Sequence, residues 1–258
     1  MSHISFSALK TWTECPFKFK LTKVDNIAGF EGNHYTAFGT AVHNVCEQSL
    51  LNENLNQEEH FLESFMEELQ KLPEHVSETL EQKVIDQMTE QGLSLLEYIR
   101  PSLKEYFGNY EIVSTEEKLL EPIEGFEDGD FDFKGFVDLV LKTEDGKYHV
   151  IDWKTCSWGW DSKKRSDPMV TYQLTYYKYY FAKKHNIELS DIETHFALLK
   201  RTAKKDKIEI FRVTSGIIKT NNALKLLNKA LYNINNGNYV KNRLSCQRCE
   251  FYKTEHCP

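Results

Sequence analysis

Three consecutive pieces of sequence decide the fold: FDFKGFVDLVLKT (131–143), EDG (144–146) and KYHVIDWKT (147–155). The two outer runs are rich in β-branched and aromatic residues, and the Asp-Gly step between them signals a hairpin. Asp138 lies on the first strand and Asp152 on the second, each flanked by apolar residues that carry it into the sheet. A buried carboxylate is costly unless it is paired or sits on a metal ion. Two carboxylates brought together repel, and a divalent cation relieves the repulsion. Lys154 follows Asp152 by two residues, so both side chains leave the strand on one face. Two readings are open for these residues. One is a strand carrying a buried salt bridge. The other is a site for phosphodiester chemistry, in which a cation activates water and the lysine stabilises developing charge.

Outward from the hairpin, YEIVSTEEKLLE (110–121) reads as a strand, and Glu116 or Glu117 adds a further carboxylate; the pattern leaves open which one faces inward. MVTYQLTYYKYYFAKKH (169–185) reads as a helix with Gln173 and Tyr177 on one face, four residues apart. Strands 192–200 and 207–213 follow, joined by the basic turn RTAKKD, and Ser215 is placed to cap a last helix, 216–236. Upstream, GTAVH (39–43) starts a helix with His43 one turn in. Ser5 or Ser7 caps a first helix reaching Leu21, which Pro16 divides in two. Residues 57–72 and 77–107 read as helices, the second kinked or ended at Pro101. This order predicts an α/β fold: a central mixed β-sheet flanked by helices, as a single domain over 1–258 with a helical insertion at 50–107.

The chain has 258 residues, 40% hydrophobic and 28% charged, which excludes wholesale disorder. No apolar run approaches the roughly 18 residues of a membrane helix. The opening MSHISFSALK has no basic n-region or apolar h-region, so no signal peptide is expected and a cytoplasmic location is. The formal net charge of −7 argues against a protein that simply coats itself in nucleic acid. Its distribution is uneven. Glu47 to Glu97 holds 13 acidic residues against Lys71 and Lys83, whereas the rest of the chain holds 26 acidic and 30 basic residues. The acidic helices are expected to face away from a polyanion or to contact a partner. The loop CSWGWDSKKRSDP (156–168) sets Trp158 and Trp160 beside Lys163, Lys164 and Arg165, and Arg201 lies in a further basic cluster. Aromatic stacking with phosphate neutralisation is how single strands are gripped.

Six cysteines are present. Cys246, Cys249 and Cys257 fall in CQRCEFYKTEHCP, spaced C-x2-C-x7-C. With Cys15 they make four soft ligands suited to zinc or to an iron–sulfur cluster. Cys46 and Cys156 read as core or near-site residues.

Taken in order, GTAVH, GFVD (135–138), IDWKT (151–155) and QLTYY (173–177) resemble the RecB-like branch of the PD-(D/E)xK nuclease superfamily. That branch has a GxxxH-type helix, a GxxD strand, a D-x-K of the form DYKT and a QxxxY helix. The opening SFSALKTWTECPFKFKL (5–21) is similar to the family's S-x-S-x-L…C-P-x-x-F/Y element. Some members, including the AddB nuclease domain and the CRISPR-adaptation nucleases, carry an iron–sulfur cluster on one N-terminal and three C-terminal cysteines. The resemblance implies a restriction-endonuclease-like core and a 4Fe-4S cluster on Cys15, Cys246, Cys249 and Cys257, with the tail 244–258 acting as a clasp. It implies Mg²⁺ or Mn²⁺ held by His43, Asp138, Asp152 and the backbone carbonyl of Trp153. By the same resemblance Lys154 is catalytic, and Gln173 and Tyr177 support the site or position DNA. The implied activity is a DNA exonuclease acting on single strands or free ends, in recombination or repair. Trp153 replaces the family's more usual Tyr, which is harmless if only its carbonyl binds. No GxxxxGK[ST] occurs, so any ATP dependence comes from a partner such as a helicase or recombinase. The competing expectations are a non-catalytic nucleic-acid-binding subunit and a nuclease stabilised by zinc.

Overall fold

Six strands form one mixed sheet: β1 (His3–Ser5), β2 (Tyr110–Pro122), β3 (Asp132–Thr143), β4 (Tyr148–Cys156), β5 (Ile192–Lys200) and β6 (Ile208–Val213). The structure, a computed structural model, describes residues 3–126 and 131–258. Residues 1–2 and 127–130, inside the single domain expected over 1–258, lie outside the described residues. β3 pairs antiparallel with β2 and with β4, β4 pairs parallel with β5, and β5 pairs antiparallel with β6. β1 pairs parallel with β3 over His3–Ser5.

The helices are α1 (Phe6–Glu14), α2 (Pro16–Phe19), α3 (His34–Leu51), α4 (Gln57–Gln70), α5 (Glu74–Ser77), α6 (Gln82–Leu96), α7 (Ile99–Phe107), α8 (Ser162–Ser166), α9 (Pro168–His185) and α10 (Ile217–Asn235). They cover both sheet faces, which explains why the central strands are hydrophobic almost without interruption. Val150, Phe196 and Leu198 point to the face carrying α1, α2, α9 and α10, where Leu9, Phe19, Leu174, Tyr180 and Leu227 are buried. Ile151, Trp153, Ala197 and Leu199 point to the opposite face, against Phe38 and Val42 of α3, Phe61 and Phe65 of α4, Leu95 of α6 and Leu103 of α7. The strictly alternating assignment follows from the two-residue period of a strand. The acidic stretch therefore supplies the apolar inner side of one layer while its carboxylates face outward. Arg100 on α7 donates to the carbonyls of Ser49 and Leu50 at the C-terminal end of α3.

Local chemistry sets the boundaries. Ser5 caps α1 by accepting the Ala8 amide at 3.2 Å, and Pro16 opens α2 at a position where no amide is needed. Asn33 and Thr36 form a capping box, so α3 begins at His34 rather than Gly39. The helix expected over 77–107 is divided into α6 and α7, with the short α5 just ahead of them, and Pro101 sits in the first turn of α7 instead of ending a longer helix. Ser215 does not cap α10. Its hydroxyl is buried and bonds Thr175 Oγ1 at 3.0 Å, and Gly216 takes the cap position.

The C-terminal residues return to the start of the chain. The Phe17 amide donates to the Val240 carbonyl at 3.3 Å, Asn242 Nδ2 to the Glu14 carbonyl at 2.8 Å, and Lys18 pairs with Glu250 at 2.9 Å. Among the described residues, no helix is long and apolar enough to cross a membrane.

Candidate active site

One edge of β3 is shared between two strands. β2 runs along the other edge over almost all of β3, so β1 (at 132–134) and β4 (at 139–142) must both use the edge facing the hairpin. Between them residues 135–138 pair with neither, and the sheet forks. Asp138 stands at the fork. Its Oδ2 accepts the Trp153 amide at 2.7 Å, taking over where the β3–β4 ladder stops. Gly135 is required here because a Cβ would lie 2.8 Å from the Tyr177 ring. Gly39 lets α3 approach β4, since a Cβ there would stand 3.3 Å from Thr155 Oγ1.

Four elements converge on the fork. From α3, His43 Nδ1 lies 3.6 Å from Asp138 Oδ2, and the ring also bonds the Trp153 backbone. From β2, the pairs Thr115–Leu139 and Glu117–Val137 place Glu116 opposite Asp138. Glu116 has φ +44°, which interrupts the ladder at that residue. The donor atoms of His43, Glu116 and Asp138 all lie within 4.8 Å of one another. From β4 comes Asp152, 1% exposed, with the Lys154 ammonium 2.5 Å from Oδ2. Lys154 thus satisfies Oδ2, whereas the buried Oδ1 has no hydrogen-bond partner among the described residues. From α9, Gln173 Nε2 donates to the Tyr177 hydroxyl at 3.1 Å.

The Glu116/Glu117 choice left open by the sequence is settled by this register. Glu117 faces away and pairs with Lys184 at 2.8 Å and His185 at 2.5 Å. Glu47, one helical turn beyond His43, adds its charge to the surroundings of Glu116. Glu47 was not singled out in the sequence, although its four-residue step from His43 is a same-face signal.

Electrostatically, the site is a crowd of buried carboxylates around one amine. Burial, then Asp138, Glu47 and Asp152, push the Glu116 carboxyl up to about 7. Burial raises Asp138 to about 6 against the pull of Lys154. Asp152 is raised to about 6 by burial, again opposed by Lys154 and reinforced by Asp138. Burial works against the charge on Lys154, but Asp152 and Asp138 outweigh it, so its pKa is raised. His43 is lowered to about 4, first by burial and then by Lys154, and is therefore a neutral lone-pair donor at pH 7. A buried carboxylate oxygen without a partner, a neutral imidazole and mutual repulsion are what a hard divalent cation relieves, so the donor set fits Mg²⁺ or Mn²⁺.

The fork opens into a cleft of about 760 Å³ lined by Asp138, Lys154, Gln173 and Tyr177, with Lys10, Lys23 and Lys134 on its walls. These three wall lysines have no ion-pair partner among the described residues. Lys10 and Lys134 lie far apart in the sequence and reach one cleft because β1, which leads into α1, pairs with β3.

The other expected residues lie elsewhere. Trp158 is 69% exposed, whereas Trp160 is buried with its ring 5.0 Å from Phe196 and Lys164 4.4 Å above it. A ring held in that position belongs to the core. Arg165 pairs with Glu209 at 2.6 Å, and Arg201 donates to Gln91 and Ser157. Lys163 lies on the exposed helix α8. All six cysteines are free. Cys15 Sγ accepts the Asn242 amide at 3.3 Å. Among the described residues, no three of the four sulfurs lie within 4.8 Å of one another.

A carboxylate-and-lysine fork at the floor of a cationic cleft defines a class of metal-using enzymes acting on phosphate esters. The family model described as the PD-(D/E)XK nuclease superfamily matches residues 3–254, and the chain belongs to that superfamily. A crystal structure from Eubacterium rectale, provisionally named an exonuclease, is 15% identical, with 96% of this chain and 86% of that chain covered at a TM-score of 0.60. The structure of SSO0001 is 17% identical, with 92% of this chain and 91% of that chain covered, but its TM-score of 0.39 carries no argument. No curated protein matches the chain.

Proposed function

We propose that this chain is a divalent-cation-dependent deoxyribonuclease that degrades DNA from free ends or as single strands. The observation that carries the reading is the fork itself, where His43, Glu116 and Asp138 converge beside the buried Asp152–Lys154 pair. His43, Glu116 and Asp138 would hold Mg²⁺ or Mn²⁺, with Asp152 and the Trp153 carbonyl bordering the same space. When bound, the cation supplies Lewis-acid activation of water and shields phosphate charge. Lys154, kept charged by Asp152, points its ammonium into the cleft and offsets negative charge growing on the phosphorus oxygens. Tyr177, whose hydroxyl burial keeps protonated, and Gln173 offer neutral hydrogen bonds beside it. Lys10, Lys23 and Lys134 are placed to neutralise the backbone on either side of the scissile bond. The exonuclease direction of the proposal rests on the RecB-like motif order and agrees with the name given to the Eubacterium rectale structure. ATP-driven unwinding, if coupled to this activity, belongs to a helicase or recombinase partner.

The four free thiols fit a 4Fe-4S cluster by donor chemistry, and the tail already contacts α1 and α2 around Cys15. Such a cluster would be a staple between the two ends of the described chain.

The test is digestion of end-labelled single- and double-stranded DNA with Mg²⁺ or Mn²⁺. Asp152→Ala and Lys154→Ala should each lose at least about 100-fold in rate. Equal digestion by wild type and both variants would overturn the assignment. Protein purified without oxygen should absorb near about 400 nm and contain iron, both lost in Cys249→Ser; colourless, zinc-loaded protein would favour the zinc alternative.

A further inference from the structure

His149, Glu193 and His195 form a second cluster on the face covered by α7. His149 is three residues along β4 from Asp152, a distance of about 10 Å. The parallel register sets His149 beside Glu193 and Ile151 beside His195, so both imidazoles and the carboxylate share one face. His149 Nδ1 and His195 Nε2 are 3.1 Å apart. Glu193 Oε2 lies 4.0 Å from the first and 3.9 Å from the second, outside hydrogen-bond reach of both. The circle through three atoms separated by 3.1, 3.9 and 4.0 Å has a radius of about 2.15 Å. An ion equally distant from all three would stand at about that distance or slightly more, close to the zinc distances of about 2.0–2.1 Å to nitrogen and about 2.0–2.2 Å to oxygen, so a shift of a few tenths of an ångström seats it.

The surrounding bonds orient these donors. The Thr143 hydroxyl donates its proton to Asp145 at 2.5 Å and so accepts from His149 Nε2–H at 2.9 Å. His149 Nδ1 is thereby left as an acceptor, and His195 Nε2–H donates to it at 3.1 Å, a proton that an ion between the rings would replace. Glu193 is held by its other oxygen, Oε1, which Arg212 binds at 2.9 Å. His195 is 2% exposed, is packed edge-on against Phe107, and has no polar partner for Nδ1 among the described residues. Burial also keeps both imidazoles below the ordinary histidine range, so they are neutral at pH 7. The trio opens onto a hollow of about 650 Å³ bordered by α7, the β3–β4 turn and Arg212.

We propose that His149, Glu193 and His195 are a zinc site, independent of the catalytic fork, that ties β4 to β5 and leaves one coordination position toward the hollow. Two neutral imidazoles and one carboxylate are a zinc donor set, and the Thr143 and Arg212 contacts supply the outer bonds that orient such ligands.

The test uses the full chain carrying Asp138→Asn, so that the catalytic cluster does not contribute. The protein is dialysed against Zn²⁺, and zinc per chain is measured by elemental analysis before and after adding Glu193→Gln or His149→Gln. Each added substitution should remove one zinc per chain and weaken uptake at that step by at least about 100-fold, since loss of even an outer-sphere partner costs about 10–100-fold. Zinc should also raise the melting temperature of the parent by more than that of either variant. Unchanged zinc content in Glu193→Gln overturns the site. If His149→Gln does not fold by circular dichroism, Glu193→Gln, whose side chain is 24% exposed, decides alone.

Discussion

Replacing Glu116 by Gln should stabilise the cation-free protein above pH 7 while weakening its grip on Mn²⁺. Glu116 has its carboxyl raised from 4.5 to about 7. A carboxyl that ionises at a higher pH in the folded state than in the unfolded chain makes the unfolded chain lose its proton first. The folded state therefore loses stability as pH rises from about 4.5, and the penalty is complete above about 7. At about 1.36 kcal/mol for each tenfold change in proton affinity, the limit is about 3.4 kcal/mol. Glu116 is partly exposed, and solvent screening brings this down to about 1–2 kcal/mol. For a domain of this size that is a melting-temperature gain of about 3–6 °C at pH 8 in chelator. At pH 4.5 the gain should nearly vanish, because the folded carboxyl is then protonated and the unfolded one only half ionised. Saturating Mn²⁺ should reverse the sign at pH 8, because the wild type keeps a donor that the variant lacks. Thermal melts at pH 4.5 and 8, with chelator and with Mn²⁺, read all four conditions. A variant that melts at or below the wild type at pH 8 in chelator would show that Glu116 does not share the crowded charge at the fork.

Three further outcomes follow from contacts described above. Gly92 packs against Phe61 so closely that a Cβ would overlap the ring, and Phe61 is itself hemmed in by Phe38 and Phe65; Gly92→Ala should lose about 1–2 kcal/mol in denaturant melts despite its better helix propensity. Trp160→Ala should cost about 3–5 kcal/mol in the same assay, whereas Trp158→Ala should be nearly neutral for stability. Charge reversal of Lys23 and Lys134 together should flatten the salt dependence of DNA binding by about two units of log–log slope, measured by fluorescence anisotropy from about 50 to 200 mM salt.

The hairpin, the aromatic helix α9 and the β5–β6 pair were legible because their signals are local: a period of two, an Asp-Gly turn, an apolar face. The convergence of His43, Asp138, Asp152 and Lys154 was legible only as motif order, since composition alone fits an ordinary buried ion pair equally well. The choice between Glu116 and Glu117 was hidden because it depends on a positive φ and a register shift near Ile112, which no two-residue alternation reports. β1 was hidden because three residues are too few to show a period; its pairing is dictated by β3. Trp160 read as a nucleic-acid contact beside Trp158 because an aromatic ring next to basic residues has the same composition whether it stacks on bases or packs on Phe196 and Phe211. His149 and His195 stand 46 residues apart and meet only through parallel pairing, which sequence spacing does not encode.

Arg100 gives the acidic segment an unusual architectural status. The chain departs from α3 after Leu51, travels through three further helices, and is fastened by one guanidinium to the carbonyls of Ser49 and Leu50. The excursion thus begins and ends at the same point. Closing a longer detour costs only about 0.6 kcal/mol per doubling of its length. Whole turns added or removed at its outer loops would leave the placement of His43 and Glu47 undisturbed, provided that the fastening and the inward aromatic rings are kept. The segment is thus a replaceable cartridge on a fixed mount, where new surface properties can be acquired without re-engineering the catalytic helix.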